Sequence, residues 1–130
     1  MDDCIFCKIA KGEMPCHKIA EDDDFIAFLD IKPFTVGHTM VIPKKHYRWT
    51  YDVPNFGEYW EFVKMVTQKI NQGLKPFFVT YLTMGMQVNH AHVHIIPRYE
   101  NDNLVNEFAP NLRLQLSNEE LINISSKITL

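Results

Sequence analysis

Three histidines, His90, His92 and His94, stand at alternate positions within five residues, and they are half of the six histidines of the chain. Successive side chains of a β-strand point to opposite faces, so this spacing predicts three imidazoles on one face, roughly 7 Å apart. On a helix, residues two positions apart point in nearly opposite directions, and the rings could not share a face. Imidazole titrates near neutral pH and can serve as a nucleophile, a proton carrier or a metal ligand. The triplet therefore predicts a shared chemical site, and the alternative is an incidental surface strand.

Cys4 and Cys7 form a C-x-x-C pair, which in a cytosolic protein indicates either zinc binding or thiol redox chemistry. The redox interpretation expects a strand before the motif, and residues 1–3 leave no room for one. Zinc requires two further ligands, for which His46 and His90 are the candidates. The alternative is a thiol pair beside a His90 that holds no metal. Cys16 stands alone, and we expect it to be a small core filler or a surface thiol.

Composition narrows the class of protein. The 130 residues are 46% hydrophobic, enough for one domain with its own core, and the net charge is −3. The absence of a large basic cluster disfavours nucleic-acid binding, and no apolar run approaches the ~20 residues that span a membrane. The three cysteines argue against a disulfide framework, and the N-terminus lacks the positive charge of a signal peptide. We therefore expect a single cytoplasmic domain, residues 1–130, with a tail of uncertain role from about residue 100.

Hydrophobic runs that end at Asp, Gly or Pro predict the strands, which lie at 25–29, 38–43, 77–82 and, in the histidine stretch, 90–97. Between the histidines, Ala91, Val93 and Ile95 are expected to face the core. Glu21 to Asp24 predicts an acidic turn, and the Asn-rich stretch 101–111 predicts irregular structure.

Periodic apolar residues predict helices at three places. The clearest covers 55–74, with Asn55 as its cap, Glu58 at the third helical position, and Gly73 and Pro76 at its end. Its predicted apolar face comprises Phe56, Tyr59, Trp60, Val63, Val66 and Ile70. A short helix follows Cys4, and a capping box at 117–120 begins a terminal helix whose apolar residues are Leu121, Ile122, Ile124 and Ile128. Together with the strands, this order predicts an α+β fold with a mostly antiparallel sheet.

Four blocks of the chain resemble the histidine triad (HIT) family. The blocks lie in order between residues 4 and 99 and read CIFCKI at 4–9, FLDI at 28–31, GHTMVIPKKH at 37–46 and HAHVHIIPR at 90–98. The resemblance implies a half-barrel with a five-stranded sheet, one long helix and short terminal helices. It also implies a homodimer in which two sheets join. Within the family the chain is most similar to the nucleoside phosphoramidase branch with an N-terminal zinc-binding pair.

The resemblance also implies roles for individual residues. His92 matches the family nucleophile, which attacks the α-phosphorus of a nucleotide to form a nucleotidyl-histidine. His94 matches the residue that contacts the phosphate and leaving group, and His38 matches a histidine that supports the same site. Asp30 matches the carboxylate that binds ribose hydroxyls. Ile5, Phe6, Ile9, Phe28 and Ile31 match the base pocket, and Cys4, Cys7, His46 and His90 match the ligands of a structural zinc ion.

The turn before the triplet departs from the family pattern. The family's Asn-Gly run is absent here, and Met86 stands where the family has a Gln, with Gln87 one position later. Thr80, Thr83 or Gln87 could supply the missing phosphate contact, and we place Gln87 and Val88 among the substrate-binding residues.

The expected function is hydrolysis of nucleoside 5'-phosphoramidates or related nucleotide conjugates through nucleotidyl-His92. The expected partner is a purine nucleotide, because an apolar pocket holds the larger base better, and neither nucleic acid nor membrane is expected. Two alternatives stay open, namely dinucleoside polyphosphate hydrolysis and a catalytically weak nucleotide-binding regulatory module. A zinc-only interaction domain is a third, and it would bind no nucleotide.

Overall fold

The computed structural model describes residues 3–102, 104 and 108–129. Its elements, in chain order, are α1 (Ile5–Ala10), β1 (Lys18–Glu21), β2 (Phe25–Leu29), β3 (Thr39–Pro43), α2 (Phe56–Leu74), β4 (Phe78–Leu82), β5 (Val93–Arg98) and α3 (Asn118–Ile128). Single-turn 3₁₀ helices at Thr50–Asp52 and Pro110–Leu112 lie in the connections. Among the described residues, none of the helices combines the length and apolarity that crossing a membrane requires.

The five strands form one antiparallel sheet in the order β1-β2-β3-β5-β4. Both β2 and β3 are buried along their whole length, because helices cover the two faces of the sheet there. The larger core lies between the sheet and the helices α2 and α3, and it includes Ala91, Val93 and Ile95. A smaller core lies on the other face, where Phe6 and Ile9 of α1 pack on β2 and β3. The α+β class with a five-stranded antiparallel sheet is thereby confirmed.

The histidine stretch differs from its prediction in where the strand begins. Ladder pairing starts at Val93, so His90 and His92 precede β5 and only His94 lies within it. The alternation nevertheless extends through the triplet, since Ala91 and Val93 are buried in the larger core. His90 and His92 face the other way, against the ring of Phe6 on the opposite side of the sheet.

Strand β1 was not predicted from the sequence, and the prediction of a turn at Glu21 was wrong, because this residue ends the strand. Only Ile19 and Ala20 are buried in this strand, and they are neighbours rather than alternate residues. The register shifts between Lys18 and Ala20, so the period of two that marks a strand is interrupted. The stretch 101–111 lies partly outside the described residues, and Pro110–Leu112 forms a turn within it.

Helix α2 confirms the periodic prediction but not its end signals. The side chain of Asn55 does not cap the backbone; its Nδ2 donates to Glu58 Oε2 at 3.1 Å. Gly73 lies inside the helix, and Lys75 ends it in the left-handed conformation at φ 52°. Phe62 joins the buried face, whereas Phe56 is exposed at the first turn.

The capping box of α3 is confirmed, because Glu120 N–H donates to Ser117 Oγ at 3.1 Å and Ser117 N–H to Glu120 Oε1 at 3.0 Å. Leu121, Ile124 and Ile128 are buried against α2 and the sheet, as the sequence predicts. Ile122 is 51% exposed and does not belong to this face.

Candidate active site and metal centre

His92 lies beside Asp30 and His94 in a cleft, with its imidazole fixed by the backbone. Its Nδ1 is 2.7 Å from the carbonyl oxygen of His90, which can only accept a hydrogen bond. The proton of the neutral ring is therefore on Nδ1, and Nε2 carries an unprotonated lone pair. Burial lowers the pKa of His92, although the hydrogen bond to His90 and the charge of Asp30 oppose the shift. This ring is thus neutral at pH 7 and fixed in orientation, as a nucleophilic imidazole must be.

His38 and His94 form a hydrogen-bonded pair in which a second tautomer is fixed. The N–H of Phe34 donates to His38 Nδ1 at 3.0 Å, so the proton of a neutral His38 is on Nε2. That Nε2–H donates to His94 Nδ1 at 2.8 Å. His94 consequently presents Nε2–H as a donor, and its ring lies 5.0 Å from the ring of His92. An unprotonated ring nitrogen, on His92, and a hydrogen-bond donor, on His94, therefore come from neighbouring histidines.

Burial governs the charge state of this pair. It lowers the pKa of His38 to about 3, with a further contribution from the guanidinium of Arg113. It also lowers the pKa of His94 to about 3, and His38 and His92 add to that shift. Both rings are neutral at pH 7, as the hydrogen bond between them requires.

Cys4, Cys7, His46 and His90 converge on one point, with their four ligand atoms within 4.8 Å of one another. Sγ of Cys7 lies 3.3 Å from His46 Nδ1 and 3.4 Å from His90 Nδ1, and Sγ of Cys4 lies 3.3 Å from the same His90 atom. His90 Nε2 donates to the carbonyl of Pro43 at 2.8 Å, which leaves the Nδ1 lone pair for the cluster. Two sulfurs and two imidazole nitrogens at these separations match the closed tetrahedral ligand set of structural zinc.

The thiols of the cluster would need the metal to ionise. Burial and the neighbouring Cys4 raise the pKa of Cys7 to about 11 in the protein without an ion. A bound Zn²⁺ would favour the thiolates directly. The donor set therefore fits zinc, whereas Cys16 lies apart from it and packs in the smaller core as the predicted filler.

The predicted substrate residues lie around a cleft of about 290 Å³. Its lining comprises Ile5, Phe6, Asp30, Ile31, Lys32, Met40, Gln87, Val88, His92, His94 and Arg113. Ile9 and Phe28, which the resemblance places in the base pocket, instead lie behind this lining and pack with Phe6. The chain thus brings residues from α1, the ends of β2 and β5, and the turn 83–92 to one place.

The three candidates for the missing phosphate contact, Thr80, Thr83 and Gln87, lie in different surroundings. Thr80 Oγ1 accepts from Arg98 Nη1 at 3.4 Å, and Thr83 Oγ1 donates to Thr50 Oγ1 at 3.4 Å. Gln87 lines the cleft beside His92 and His94. Of the three candidates, Gln87 is the one that the fold brings to the histidines.

Arg113 is a site residue that the sequence did not reveal. It comes from the segment before α3, and its Nη1 donates to Asp30 Oδ2 at 3.2 Å and to the carbonyl of Lys32. Its guanidinium lies 4.2 Å over the ring of Phe34. The other oxygen of Asp30, Oδ1, accepts from Lys32 N–H at 2.9 Å. No sequence signal marks Arg113, because its neighbours in the chain belong to no recognisable motif.

The structure therefore defines a class, an α+β protein whose antiparallel sheet carries a histidine-lined cleft beside a Cys/His group that could hold a metal ion. A family model described as the HIT domain matches residues 11–101. A HIT-like protein of Methanocaldococcus jannaschii is 44% identical over 112 residues, covering 81% of this chain and 86% of that protein. The adenosine 5'-monophosphoramidase of Schizosaccharomyces pombe is 40% identical over 98 residues, covering 73% and 74% of the two chains.

Solved structures agree with these relatives. A crystal structure described as a hypothetical histidine triad nucleotide-binding protein of Sulfolobus tokodaii superposes with a TM-score of 0.82 at 34% identity, covering 96% of this chain and 89% of that one. A zinc-bound histidine triad protein of Mycobacterium smegmatis superposes with a TM-score of 0.73 at 30% identity, covering 96% and 94%. The chain belongs to the HIT family.

Proposed function

We propose that the protein hydrolyses nucleoside 5'-phosphoramidates, or closely related nucleotide conjugates, through a covalent nucleotidyl-His92. The observation that carries the proposal is the state of His92, which lines the cleft and whose Nδ1–H bond to the His90 carbonyl leaves the lone pair on Nε2. The similarity to an adenosine 5'-monophosphoramidase supports the same reaction class. Asp30 is available to accept hydrogen bonds from ribose hydroxyls, and the apolar lining from Ile5 to Ile31 to hold the base.

The reaction has two steps that balance. In the first, His92 Nε2 forms a bond to the α-phosphorus, and the phosphorus–nitrogen bond breaks with its electron pair going to the leaving amine. That amine takes up a proton from solvent water and leaves neutral, while His94 Nε2–H donates a hydrogen bond on the leaving-group side. In the second step, water attacks phosphorus, the phosphorus–His92 bond breaks with its electron pair returning to Nε2, and the proton lost by the attacking water goes to solvent. Dividing the displacement in this way replaces one difficult step by two easier ones.

The test is chemical trapping of the intermediate. Rapid quench of the protein and adenosine phosphoramidate in alkaline denaturant, in which a phosphorus–nitrogen bond to histidine is stable, should give a chain heavier by one adenylyl group, and peptide mapping at alkaline pH should locate the group on His92. His92→Asn should lose the adduct and at least ~10³-fold of turnover. His17→Asn, which removes a histidine outside the site, is the matched control and should keep both. Turnover by His92→Asn at the wild-type rate would refute the mechanism.

Product analysis separates the alternatives. Faster cleavage of a dinucleoside polyphosphate than of the phosphoramidate would make the protein a polyphosphate hydrolase. Tight nucleotide binding without adduct or turnover would make it a regulatory binding module.

We further propose that zinc, held by Cys4, Cys7, His46 and His90, has a structural role. The four donors leave no coordination position for substrate, and the metal would join α1 to the loop after β3 and to the turn before β5. His90 would then belong to the metal, and His92 and His94 to the reaction.

We also propose a cytoplasmic homodimer joined through β4. This strand is at the edge of the sheet, and Phe78 and Tyr81 on it are 49% and 44% exposed. An exposed edge strand with large apolar side chains is a ready site for pairing with a second copy.

A further inference from the structure

A second hollow adjoins the histidines on the side away from Ile5 and Ile31. Its volume is about 380 Å³, and its walls include Phe34, Leu82, Met84, Met86 and Phe108. Gln87, His92, His94 and Arg113 line both this hollow and the first cleft. The two hollows therefore meet at the point where His92 would hold the α-phosphorus.

Because the two hollows meet at His92 and His94, a substrate whose phosphorus lies there would place its nucleoside in one hollow and its leaving group in the other. Asp30, Ile31 and Lys32 line only the first cleft, which is the side proposed for the nucleoside. A nucleotide conjugate bound there directs its leaving group past His94 into the second hollow. The walls of that hollow are aromatic rings and flexible methionines, which accommodate apolar groups of varied shape.

Arg113 is the only cationic residue among the described residues that line the second hollow. Its Nη1 is held by Asp30 and by the carbonyl of Lys32, and its guanidinium is stacked on Phe34. Among the described residues, the hydrogen bonds of Arg113 use Nη1 alone, which leaves the Nη2 and Nε donors of the guanidinium for a ligand. A guanidinium fork recognises a carboxylate with two parallel hydrogen bonds.

We propose that Arg113 is a specificity residue that selects leaving groups carrying a carboxylate on an apolar body, such as an apolar amino acid joined through its nitrogen to the α-phosphate. The proposal rests on the proposed function, because it assigns the leaving-group side of the same reaction. The carboxylate pairs with Arg113 and the apolar side chain packs among Phe34, Met84 and Met86. The bond that breaks is again phosphorus–nitrogen, and the free amino acid leaves with the electron pair and a proton.

Two conjugates of adenosine 5'-phosphate test this, one with the nitrogen of L-phenylalanine and one with that of L-phenylalaninamide. They differ only in whether the far group is charged. Wild-type protein should prefer the carboxylate conjugate by about tenfold in kcat/KM, the range expected for a charge-assisted hydrogen bond that is partly exposed. Arg113→Gln should reduce the ratio to near one, and Arg113→Lys should keep part of it. Comparing two conjugates within one variant cancels any general loss caused by a disturbed Asp30.

Lys32→Gln is the matched control, since it removes one positive charge from the nucleoside side of the same cleft. It should leave the preference at the wild-type value. A wild-type ratio near or below one, or a ratio that Arg113→Gln does not change, would overturn the role of Arg113 while leaving the hydrolase proposal intact.

Binding of the same two conjugates to His92→Asn tests Arg113 even if no turnover occurs. The carboxylate conjugate should bind about tenfold more tightly, and Arg113→Gln in the same background should equalise the two. Equal binding in both backgrounds overturns the proposal. Failure of turnover with either conjugate in the wild-type protein would instead refute the proposed function, so the two failures are distinguishable.

Discussion

Single hydrogen bonds divide the three histidines of the triplet into different chemical species. His90 donates from Nε2 to the carbonyl of Pro43, and His92 donates from Nδ1 to the carbonyl of His90. His94 accepts at Nδ1 from His38. Each ring consequently presents a different atom to its surroundings. His90 presents the Nδ1 lone pair to the cysteines, His92 an Nε2 lone pair, and His94 a donating Nε2–H. The backbone, through two carbonyl groups, sets two of these three states.

Cysteine substitutions test the metal centre at this scale. Protein purified with zinc should contain about one ion per chain, and Cys7→Ser should lose most of it, because one of four ligands is removed. Metal content by mass spectrometry and the unfolding midpoint should fall together. Cys16→Ser is the matched control, since it removes a thiol outside the cluster. Equal zinc content in wild type and Cys7→Ser would contradict the assignment.

The buried pair of His38 and His94 predicts how stability depends on pH. The folded pKa of each is about 3, whereas an unfolded histidine has its ordinary value of about 6.5. Between these values the unfolded chain binds protons that the folded chain does not. The free energy of unfolding therefore falls as pH is lowered through this window, by at most about 1.4 kcal/mol per pH unit for each histidine.

His38→Asn should flatten this dependence, because it removes one proton-binding group while keeping an acceptor for the Phe34 N–H. Urea unfolding at pH 7.5, 6.0 and 5.0, with the zinc concentration held constant, measures how the free energy of unfolding changes with pH. The slope of the free energy of unfolding against pH should fall by the contribution of one bound proton, which is at most about 1.4 kcal/mol per pH unit. His17→Asn, which removes a histidine outside the pair of His38 and His94, is the control. A slope unchanged in His38→Asn would mean that the pair does titrate in the folded state.

At the scale of elements, the pattern of neighbouring residues was enough to predict two of the helices, α2 and α3. The apolar spacing of α2 and the capping box of α3 are properties of neighbouring residues, and both are confirmed. Gly73 was predicted as a helix end from its intrinsic preference, yet it lies inside α2. A Cβ built there would lie 2.1 Å from the carbonyl oxygen of Lys127 in α3. Position 73 needs a residue without a side chain because α3, more than 50 positions later in the chain, packs directly against it, and no local sequence pattern reveals such a contact.

Gly73→Ala should therefore destabilise the packing of α2 on α3, although alanine favours helices. The clash is with backbone, which cannot move aside as a flexible side chain does, so we expect a loss of about 2–3 kcal/mol. Gly57→Ala is the matched control, because nothing lies within 4 Å of its added Cβ at the start of the same helix. That variant should be neutral or up to about 1 kcal/mol more stable. Equal effects of the two substitutions in urea unfolding would contradict the close contact.

At the scale of the whole molecule, the candidate site combines a part that the sequence predicted and a part that it did not. The residues around His92 could be predicted because they stand in the sequence blocks that resemble the HIT family. Arg113 and the second hollow were not, because Arg113 reaches Asp30 across 83 positions of sequence. Only the folded chain brings the segment before α3 to the end of β2. The part of the cleft around Asp30 and Ile31 was therefore predictable, and the part formed with Arg113 was not.

The exposed edge of the sheet carries the last prediction, which concerns assembly. In the ladder to β5, Phe78 pairs with Arg98 and Thr80 with Ile96, and Pro97, which lies opposite Val79, has no N–H to donate. The backbone groups of Val79 and Tyr81 therefore point outward at this edge of the sheet. Two copies of β4 can pair through these groups, with the ring of Phe78 buried between them. Sedimentation should give twice the chain mass of 15.3 kDa at micromolar concentration.

Phe78→Glu should shift this equilibrium to monomer, raising the dissociation constant at least about tenfold, because it places a charge in a desolvated edge contact. The new carboxylate lies near Arg98, whose guanidinium is 5.2 Å from the Phe78 ring, so the fold of the single chain should be retained. Ile122→Glu is the control, since Ile122 is similarly exposed but lies on α3, away from β4. If Ile122→Glu dissociates the dimer and Phe78→Glu does not, the interface lies on the helical face rather than at the sheet edge. A wild-type chain that sediments as a monomer at every concentration would rule out both arrangements.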